Sequence, residues 1–391
     1  MTLSPSPVPF DAAALDRLME EAGLDVLFVT SKHNVQYLLG GYRFFMFDIM
    51  DATGLSRYLP IVVYPKGRPD LVAYVGNPNE TFEHELGRLW PAHLRLRARG
   101  SVDAMHHGLD HLSKQGIRAE SIGIEAGFLP ADAFETLKRA RPGARVADCV
   151  EVLESLRAVK TDVELHHLRT ASERVVEAMR ATFAWLEPGR TKREVVEFLR
   201  RQQTDRGLVF EYGLITAGKS FNRAPSDQRI GEGDILSLDS GGNYRGYIGD
   251  LCRMAVLGEP GAELEDALAF VGTVQQGARA PIRSGATGED IFAAALPLTA
   301  GVREGRIGFV AHGMGLVSHE APRLMDDGPI PYPARHRFHP LREGMVLSLE
   351  TTWLHPRLGF LKLEDTVAVT SDGCEAYGDG ARGWTRAGTP N

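Results

Sequence analysis

The sequence has little of several features that mark whole classes of protein. Only three of its 391 residues are cysteine, and Cys149, Cys252 and Cys374 form no C-x-x-C pair. Neither a disulfide framework nor a thiolate metal site is therefore expected. No run of about 18 apolar residues is present to span a membrane, and the first ten residues lack the basic and apolar regions of a signal peptide. These absences predict a soluble cytoplasmic protein.

An excess of positive charge is also missing. The chain has 44 Lys and Arg residues against 51 Asp and Glu, for a net charge of −7. We therefore expect neither nucleic acid nor an anionic membrane surface as a partner. The remaining composition is that of a globular protein, with 43% hydrophobic residues. At about 150 residues per domain, the length predicts two or three domains.

Secondary-structure patterns change near the middle of the chain. Helical and extended patterns alternate over the first part, which predicts a sheet covered by helices. From Lys160 onwards two long helical patterns follow, Lys160–Leu186 and Thr191–Arg206, and then extended segments punctuated by glycine. We therefore predict a mixed α/β (α+β) protein with one domain over residues 1–155 and a second over 156–391.

A first predicted hairpin brings two aspartates together. Its strands end and begin around a turn that we centre on Tyr244-Arg245. In that register Asp239 lies directly opposite Asp250, with Cβ atoms about 5 Å apart, and a one-residue bulge would make the two diagonal neighbours instead. Like charges at this distance repel each other unless a cation lies between them.

A second predicted hairpin repeats the pattern with glutamates. With His355–Gly359 as its turn, Glu350 lies opposite Glu364. Either pair alone could be acids that face solvent. Two pairs in strands rich in Leu and Val favour a different interpretation, because Lys362 and Arg253 are too few positive charges to balance four carboxylates. We therefore predict an oxygen-rich site for two divalent metal ions.

A glycine-rich segment offers histidines to complete such a site. His312 is followed by Gly-Met-Gly, and these glycines allow the backbone to approach a ligand closely. A lone histidine in an apolar segment is usually a structural residue, but four acids nearby favour metal ligation by His312. His319 lies seven residues further on. It could bind substrate or make a structural hydrogen bond, and its spacing does not distinguish the two.

Together these residues resemble the pita-bread metallopeptidases, which include methionine aminopeptidases, aminopeptidase P, prolidases and relatives such as creatinase. The segment Leu153–Gly373 follows the order of that family, and Ser31–Leu38 looks like part of the creatinase/prolidase N-terminal domain. The resemblance implies two divalent ions, of Mn, Co, Zn or Fe. It also implies a homodimer in which Tyr42–Asp48 borders the partner's site. The metal ligands that it implies are Asp239, Asp250, His312, Glu350 and Glu364.

The resemblance also implies roles for other residues. Glu350 corresponds to the family's catalytic base, and His319 belongs to the retained motif His319-Glu320-Ala-Pro322, whose histidine contacts substrate in prolidases. We take His319 as a second catalytic candidate. The predicted substrate-binding residues are His319, Asn222 and Lys362.

Several positions depart from the proline-specific pattern. Asn222 and Gly308 stand where those members carry histidines, Leu354 stands where a tyrosine is common, and Lys362 replaces an arginine. The usual Glu-Pro-Gly is Glu350-Thr-Thr. The metal ligands are thus retained, whereas the groups that move protons or stabilise an oxyanion are altered.

Three functions follow from these observations. The first is a metal-dependent hydrolase of small amides, most simply an Xaa-Pro dipeptidase-like enzyme. The second is a non-peptidase that uses the same site, either a C–N hydrolase or a lyase resembling those that cleave dimethylsulfoniopropionate. The third is a binding module without catalytic activity, against which the five retained ligands argue.

Overall fold

The computed structural model describes residues 8–54, 57–326 and 333–388. The chain divides into two compact units between Leu156 and Arg157. Both units combine a sheet with helices, which confirms the predicted mixed α/β class. Within the described ranges no helix is long and apolar enough to cross a membrane.

The first unit is a six-stranded mixed sheet in the order β4-β3-β2-β1-β5-β6. Its strands are β1 (Val26–Val29), β2 (Ile61–Pro65), β3 (Ala73–Gly76), β4 (His93–Leu96), β5 (Ser121–Ile124) and β6 (Arg145–Asp148). Its helices are α1 (Ala12–Glu21), α2 (Lys32–Leu38), α3 (Met50–Thr53), α4 (Thr81–Glu85), α5 (Ser101–Lys114), α6 (Ala131–Ala140) and α7 (Val150–Arg157). Strand β1 is apolar throughout because both faces are buried: Leu27 and Val29 belong to one hydrophobic cluster, and Val26 and Phe28 to another.

The second unit is built on a larger sheet in the order β10-β11-β12-β9-β8-β7, with β13 added to β12 and β14 to β9. Its strands are β7 (Val209–Ala217), β8 (Ile235–Tyr244), β9 (Tyr247–Val256), β10 (Arg306–Gly313), β11 (Val346–His355), β12 (Gly359–Val369), β13 (Cys374–Tyr377) and β14 (Thr385–Arg386). Its helices are α8 (Asp162–Trp185), α9 (Lys192–Asp205), α10 (Ala262–Arg279) and α11 (Gly288–Thr299).

The two long helices that the sequence predicts in this unit are confirmed to within a few residues. Each begins with a capping box, in which Thr161 pairs with Glu164 for α8 and Thr191 with Glu194 for α9. The threonine side chain and the glutamate three residues later satisfy backbone N–H groups that the first helical turn leaves unpaired. Both helices pack on the apolar face of β7, β8 and β9.

The two predicted hairpins have different outcomes. Glu350 lies opposite Glu364, as predicted. The direct pairing of Asp239 with Asp250 is wrong, since Asp239 lies opposite Cys252, and Asp250 opposite Gly241. The turn lies one position further along the chain than predicted, at Arg245-Gly246, where both residues have positive φ angles, as a two-residue hairpin requires. The two aspartates are therefore diagonal neighbours on the same face.

Helix α8 lies so close to β9 that only glycine fits at one position. A Cβ atom on Gly249 would lie 2.5 Å from the backbone nitrogen of Ser172 and 2.7 Å from the carbonyl carbon of Ala171. We expect Gly249→Ala to lower the free energy of unfolding by about 1–3 kcal/mol, because helix and strand must separate. Urea titration measures the change. Gly383→Ala is the control, since its Cβ would meet no atom within 4 Å; equal stability of the two variants would contradict this packing.

Candidate active site

Four acids and a histidine from five strands meet on one buried face of the larger sheet. The acids, here called the acid cluster, are Asp239 on β8, Asp250 on β9, Glu350 on β11 and Glu364 on β12, and His312 lies on β10. Alternation along each strand places them opposite residues that pack under the helices, such as Leu238 and Leu349. Three sets have possible ligand atoms within 4.8 Å of one another: Asp239, Asp250 and Glu364; His312, Glu350 and Glu364; Asp250, His312 and His319.

A buried glutamine fixes the two strands that carry the glutamates. Gln275 on α10 donates hydrogen bonds to the carbonyl of Leu349 at 2.5 Å and to Asp365 Oδ2 at 2.9 Å. Its own Oε1 accepts from the hydroxyl of Thr351 at 2.7 Å. These three partners are neighbours of Glu350 or Glu364 in the sequence, so Gln275 holds both strands in register. The sequence indicated no role for Gln275, because a helical pattern does not show which backbone carbonyl a side chain contacts.

Lys362, assigned from the sequence to substrate binding, lies in the middle of the acid cluster. Its Nζ atom is 2.6 Å from Asp239 Oδ2, 2.6 Å from Glu350 Oε2 and 2.7 Å from Glu364 Oε2. The side chain is only 3% exposed. Burial alone would lower the pKa of Lys362, but the three carboxylates outweigh it and raise that pKa, so the amine is an ammonium ion.

The structure places Arg223 beside the acid cluster, which the sequence did not indicate, and places Arg253 away from it. Arg223 forms an ion pair with Asp239. Arg253, counted from the sequence beside the acids, lies on the opposite face of β9, where it pairs with Asp365 at 3.1 Å and donates to the carbonyl of Glu364 at 2.7 Å. The prediction that Arg253 lies near the four acids is therefore wrong, and Arg223 lies there instead. Arg223 lies in a loop whose sequence has no hydrophobic periodicity, so no pattern indicated where its side chain points.

Asn222, the residue before this arginine, is exposed. Its Oδ1 atom accepts a hydrogen bond from the backbone N–H of Ala224 at 2.9 Å, and its carbonyl accepts one from Lys192 at 2.5 Å. An asparagine that bonds to the backbone two residues ahead stabilises a turn. The side-chain oxygen of Asn222 is thus engaged within its own loop.

The two histidines of the site stack on each other. Their ring centroids are 3.8 Å apart, with 22° between the ring planes. His312 Nε2 lies 3.1 Å from Glu350 Oε1. Burial and the neighbouring His312 lower the pKa of His319 to about 4, so His319 is neutral near pH 7 and offers one N–H donor.

Crowding of the carboxylates separates their pKa values. Burial, together with Glu350, raises the pKa of Glu364 to about 8, and burial raises the pKa of Asp250 well above its usual value. For Glu350 burial acts in the same direction, but Lys362 and His312 outweigh it and lower the pKa. Glu350 therefore ionises more readily than Asp250 or Glu364.

These residues fit a divalent metal ion. Carboxylate oxygens and one imidazole are ligands that Mn, Fe, Co and Zn accept. In addition, Asp250 Oδ1 is buried and has no hydrogen-bond partner among the described residues. A buried oxygen with no partner is costly, and a bound cation would remove that cost.

A second buried charge cluster holds the loop that carries His319. Glu320 pairs with Arg157 at 2.9 Å and with Lys160 at 3.2 Å, and all three side chains are almost fully buried. Glu320 also accepts from the backbone N–H of Val317 at 3.2 Å. Burial opposes ionisation of Glu320, but its two cationic partners lower its pKa overall. Glu320 lies in the recognised motif, yet its partners are far away in the sequence and could not be identified there.

Two family models match the chain. The model for metallopeptidase family M24 matches residues 166–371, and the creatinase/prolidase N-terminal domain matches residues 12–159. The chain belongs to metallopeptidase family M24. The resemblance seen in the sequence is thereby confirmed, and family membership implies that divalent metal ions take part in the chemistry.

Known relatives agree with this assignment. The Xaa-Pro dipeptidase of Pyrococcus furiosus is 28% identical over 374 residues, which cover 92% of this chain and 95% of the relative. The solved Xaa-Pro dipeptidase from Bacillus anthracis has a TM-score of 0.77 at 21% identity, covering 94% of this chain and 96% of that one. The fold also matches the N-terminal domain of the FACT complex subunit SPT16 from Cicer arietinum, with a TM-score of 0.72 at 12% identity. At this identity the match shows similarity of fold alone.

Removing the charge of Glu320 tests the second cluster. We expect Glu320→Gln to cost about 3–5 kcal/mol of unfolding free energy at pH 7, because Arg157 and Lys160 stay buried and lose their ion pairs with Glu320. Since the folded-state pKa of Glu320 is below its usual 4.5, the advantage of the wild type is complete above pH 4.5 and is lost as the pH falls through the folded value.

Urea titrations at several pH values measure this difference. The control is Glu375→Gln, which removes an exposed pair with Arg169 and should cost at most about 1 kcal/mol. A similar cost for both variants would show that the buried cluster does not stabilise the loop.

Proposed function

We propose that this chain is a metal-dependent dipeptidase that cleaves Xaa-Pro dipeptides. One observation carries the proposal. Four buried acids and His312 converge on one face, with Asp250 Oδ1 left without a described partner. The similarity to the Xaa-Pro dipeptidase of Pyrococcus furiosus over 92% of the chain supports the substrate class.

The proposed ligands are the acid cluster and His312. A divalent ion held there supplies an activated water and polarises the carbonyl of the scissile amide. Five donor residues are enough for the two ions that we predicted, of Mn, Co, Zn or Fe. The number of ions that the site can hold also depends on the positive charge of Lys362, which lies among the same acids.

Glu350 is the proposed base. Its carboxylate is ionised at neutral pH, as a proton acceptor must be. Its side chain is 15% exposed, compared with 2–3% for the other acids that contact Lys362. Glu350 is therefore the acid of this group most accessible to a substrate.

His319 is proposed to bind the carbonyl or carboxylate of the substrate. The neutral imidazole can donate one hydrogen bond without adding a charge to the site. The ring is held against His312 by stacking, and its loop is held by Glu320. A donor held in place before the substrate arrives needs little reorganisation in the reaction.

A non-peptidase activity is the second candidate, and one observation favours it. Gly308 lies on β10 where the family resemblance places a histidine, and a Cβ atom there would meet no atom within 4 Å. The space next to the strand is open, and the proton-carrying group is absent. A substrate without a proline ring would suit such a site, and a panel of small amides tests this candidate.

The predicted homodimer, with Tyr42–Asp48 at the partner's site, and the predicted cytoplasmic location stay predictions. The first is tested by sedimentation of the purified chain. A monomer that hydrolyses Xaa-Pro dipeptides at full rate would overturn it.

Release of free proline tests the main proposal. The purified chain, loaded separately with Mn²⁺, Co²⁺, Zn²⁺ or Fe²⁺, should hydrolyse Xaa-Pro dipeptides. Asp239→Ala should lower kcat/KM at least about 100-fold, because a ligand of the metal is lost. Asp227→Ala removes an exposed aspartate and is the control. Turnover that survives a chelator, or that Asp239→Ala leaves unchanged, would contradict the proposal.

Two neighbouring residues should differ in their effect on the same reaction. Arg223→Gln removes a charged partner of Asp239, and we expect a loss of about 10-fold or more in kcat/KM. Asn222→Ala removes a side chain engaged in its own loop, so we expect a change below about 3-fold. Equal losses of kcat/KM in the two variants would contradict this expectation and support the substrate-binding role of Asn222 that the sequence predicts.

A further inference from the structure

We propose that Lys362 takes the place of one divalent ion, so that the chain binds a single ion at the end of the site marked by His312. The inference rests on the proposed metal-dependent function, because both use the same ligands. It differs from the two-ion prediction in the number of ions that the resting protein holds.

The ammonium group of Lys362 contacts three carboxylates where it lies. An ammonium ion has three N–H donors, and Nζ has one carboxylate oxygen within 2.7 Å on each of three strands. The contact with Asp239 is a charge-assisted hydrogen bond, and those with Glu350 and Glu364 are ion pairs. A divalent ion bound to the same three oxygens at about 2.0–2.2 Å would lie almost on Nζ. The ion and the ammonium group therefore exclude each other.

Displacing this lysine is costly. Its side chain is 3% exposed, so an ammonium group pushed from the carboxylates would lose three ion-pair partners inside the protein. Separating a buried ion pair leaves an uncompensated charge, which is strongly unfavourable. A second metal ion would have to overcome this cost in addition to shedding its own water.

The charges near the acids leave room for one divalent ion. The acid cluster carries four negative charges when ionised, and Lys362 and Arg223 supply two positive charges in direct contact with it. A metal-binding imidazole is neutral. The remaining two negative charges are balanced by one divalent ion, whereas two ions would leave an excess of two positive charges in a buried site.

The opposite end of the site remains open to an ion. Glu350 contacts Lys362 through Oε2, while its Oε1 lies 3.1 Å from His312. Asp250 Oδ1 is buried without a described partner, and no ion pair joins Asp250 to Lys362 among the described residues. The residues that would hold the single ion are therefore His312, Asp250, Glu350 and Glu364.

Counting bound ions tests the inference. The full chain is loaded with Mn²⁺, dialysed against metal-free buffer and measured by elemental analysis and native mass spectrometry. We expect one Mn²⁺ per wild-type chain, with the electron paramagnetic resonance spectrum of an isolated ion. Lys362→Met has a similar shape without the charge, and should hold two ions with a spin-coupled spectrum.

Two further variants separate charge from side-chain identity. Lys362→Arg keeps the positive charge and should hold one ion. Lys219→Met removes one charge from an exposed lysine and should also hold one. If Lys362→Met does not fold, as judged by its circular dichroism and thermal unfolding, the wild-type count and spectrum decide alone.

The outcomes distinguish this inference from the proposed function. Two ions in the wild type, or one ion in folded Lys362→Met, would overturn the role of Lys362 and leave the dipeptidase proposal intact. One ion in the wild type and two in Lys362→Met, without release of proline, would support this role and overturn the dipeptidase. A wild-type chain that binds no ion and releases no proline would overturn both.

Discussion

The site depends on one electrostatic constraint: four carboxylates share a buried face, and they can remain ionised only if cations lie among them. Burial raises the pKa values of Asp250 and Glu364, which is the direction in which unbalanced acids move. Lys362 lowers the pKa of its neighbour Glu350 against the same burial effect. The arrangement of cations thus determines how readily each of these acids ionises.

The sheet makes this crowding possible because its other face supplies the stability. Leu238 and Leu349 alternate with the acids of their strands and are fully buried among the helices. Burial of apolar surface is the main contribution to stability. Because side chains alternate along a strand, apolar side chains can pack on one face of the sheet while the acids occupy the other. Gln275 links the helices on the apolar face to the strands that carry the acids, since this one helical side chain holds both strands that carry the glutamates.

Sequence reasoning was successful where local rules determine geometry. The turn at His355–Gly359 fixed the register of Glu350 and Glu364, while the aspartate hairpin was misplaced because two overlapping turns fit the same residues and only the positive φ of Gly246 selects between them. The partners of the charges could not be obtained in this way. Arg157 and Glu320 are 163 residues apart, and no periodic pattern relates them. Long-range ion pairs depend on how the whole unit packs, which propensity and spacing do not describe.

Two buried charge clusters lie at the site. Lys362 contacts three carboxylates, while Glu320 contacts two cations that favour its ionised form and accepts a hydrogen bond from the loop of His319. In the proposed mechanism, the first cluster limits the metal charge that the site holds, and the second holds the loop from which His319 donates a hydrogen bond to the substrate. The same fold occurs in the N-terminal domain of SPT16, so the proposed activity is argued from these charged residues and not from the fold.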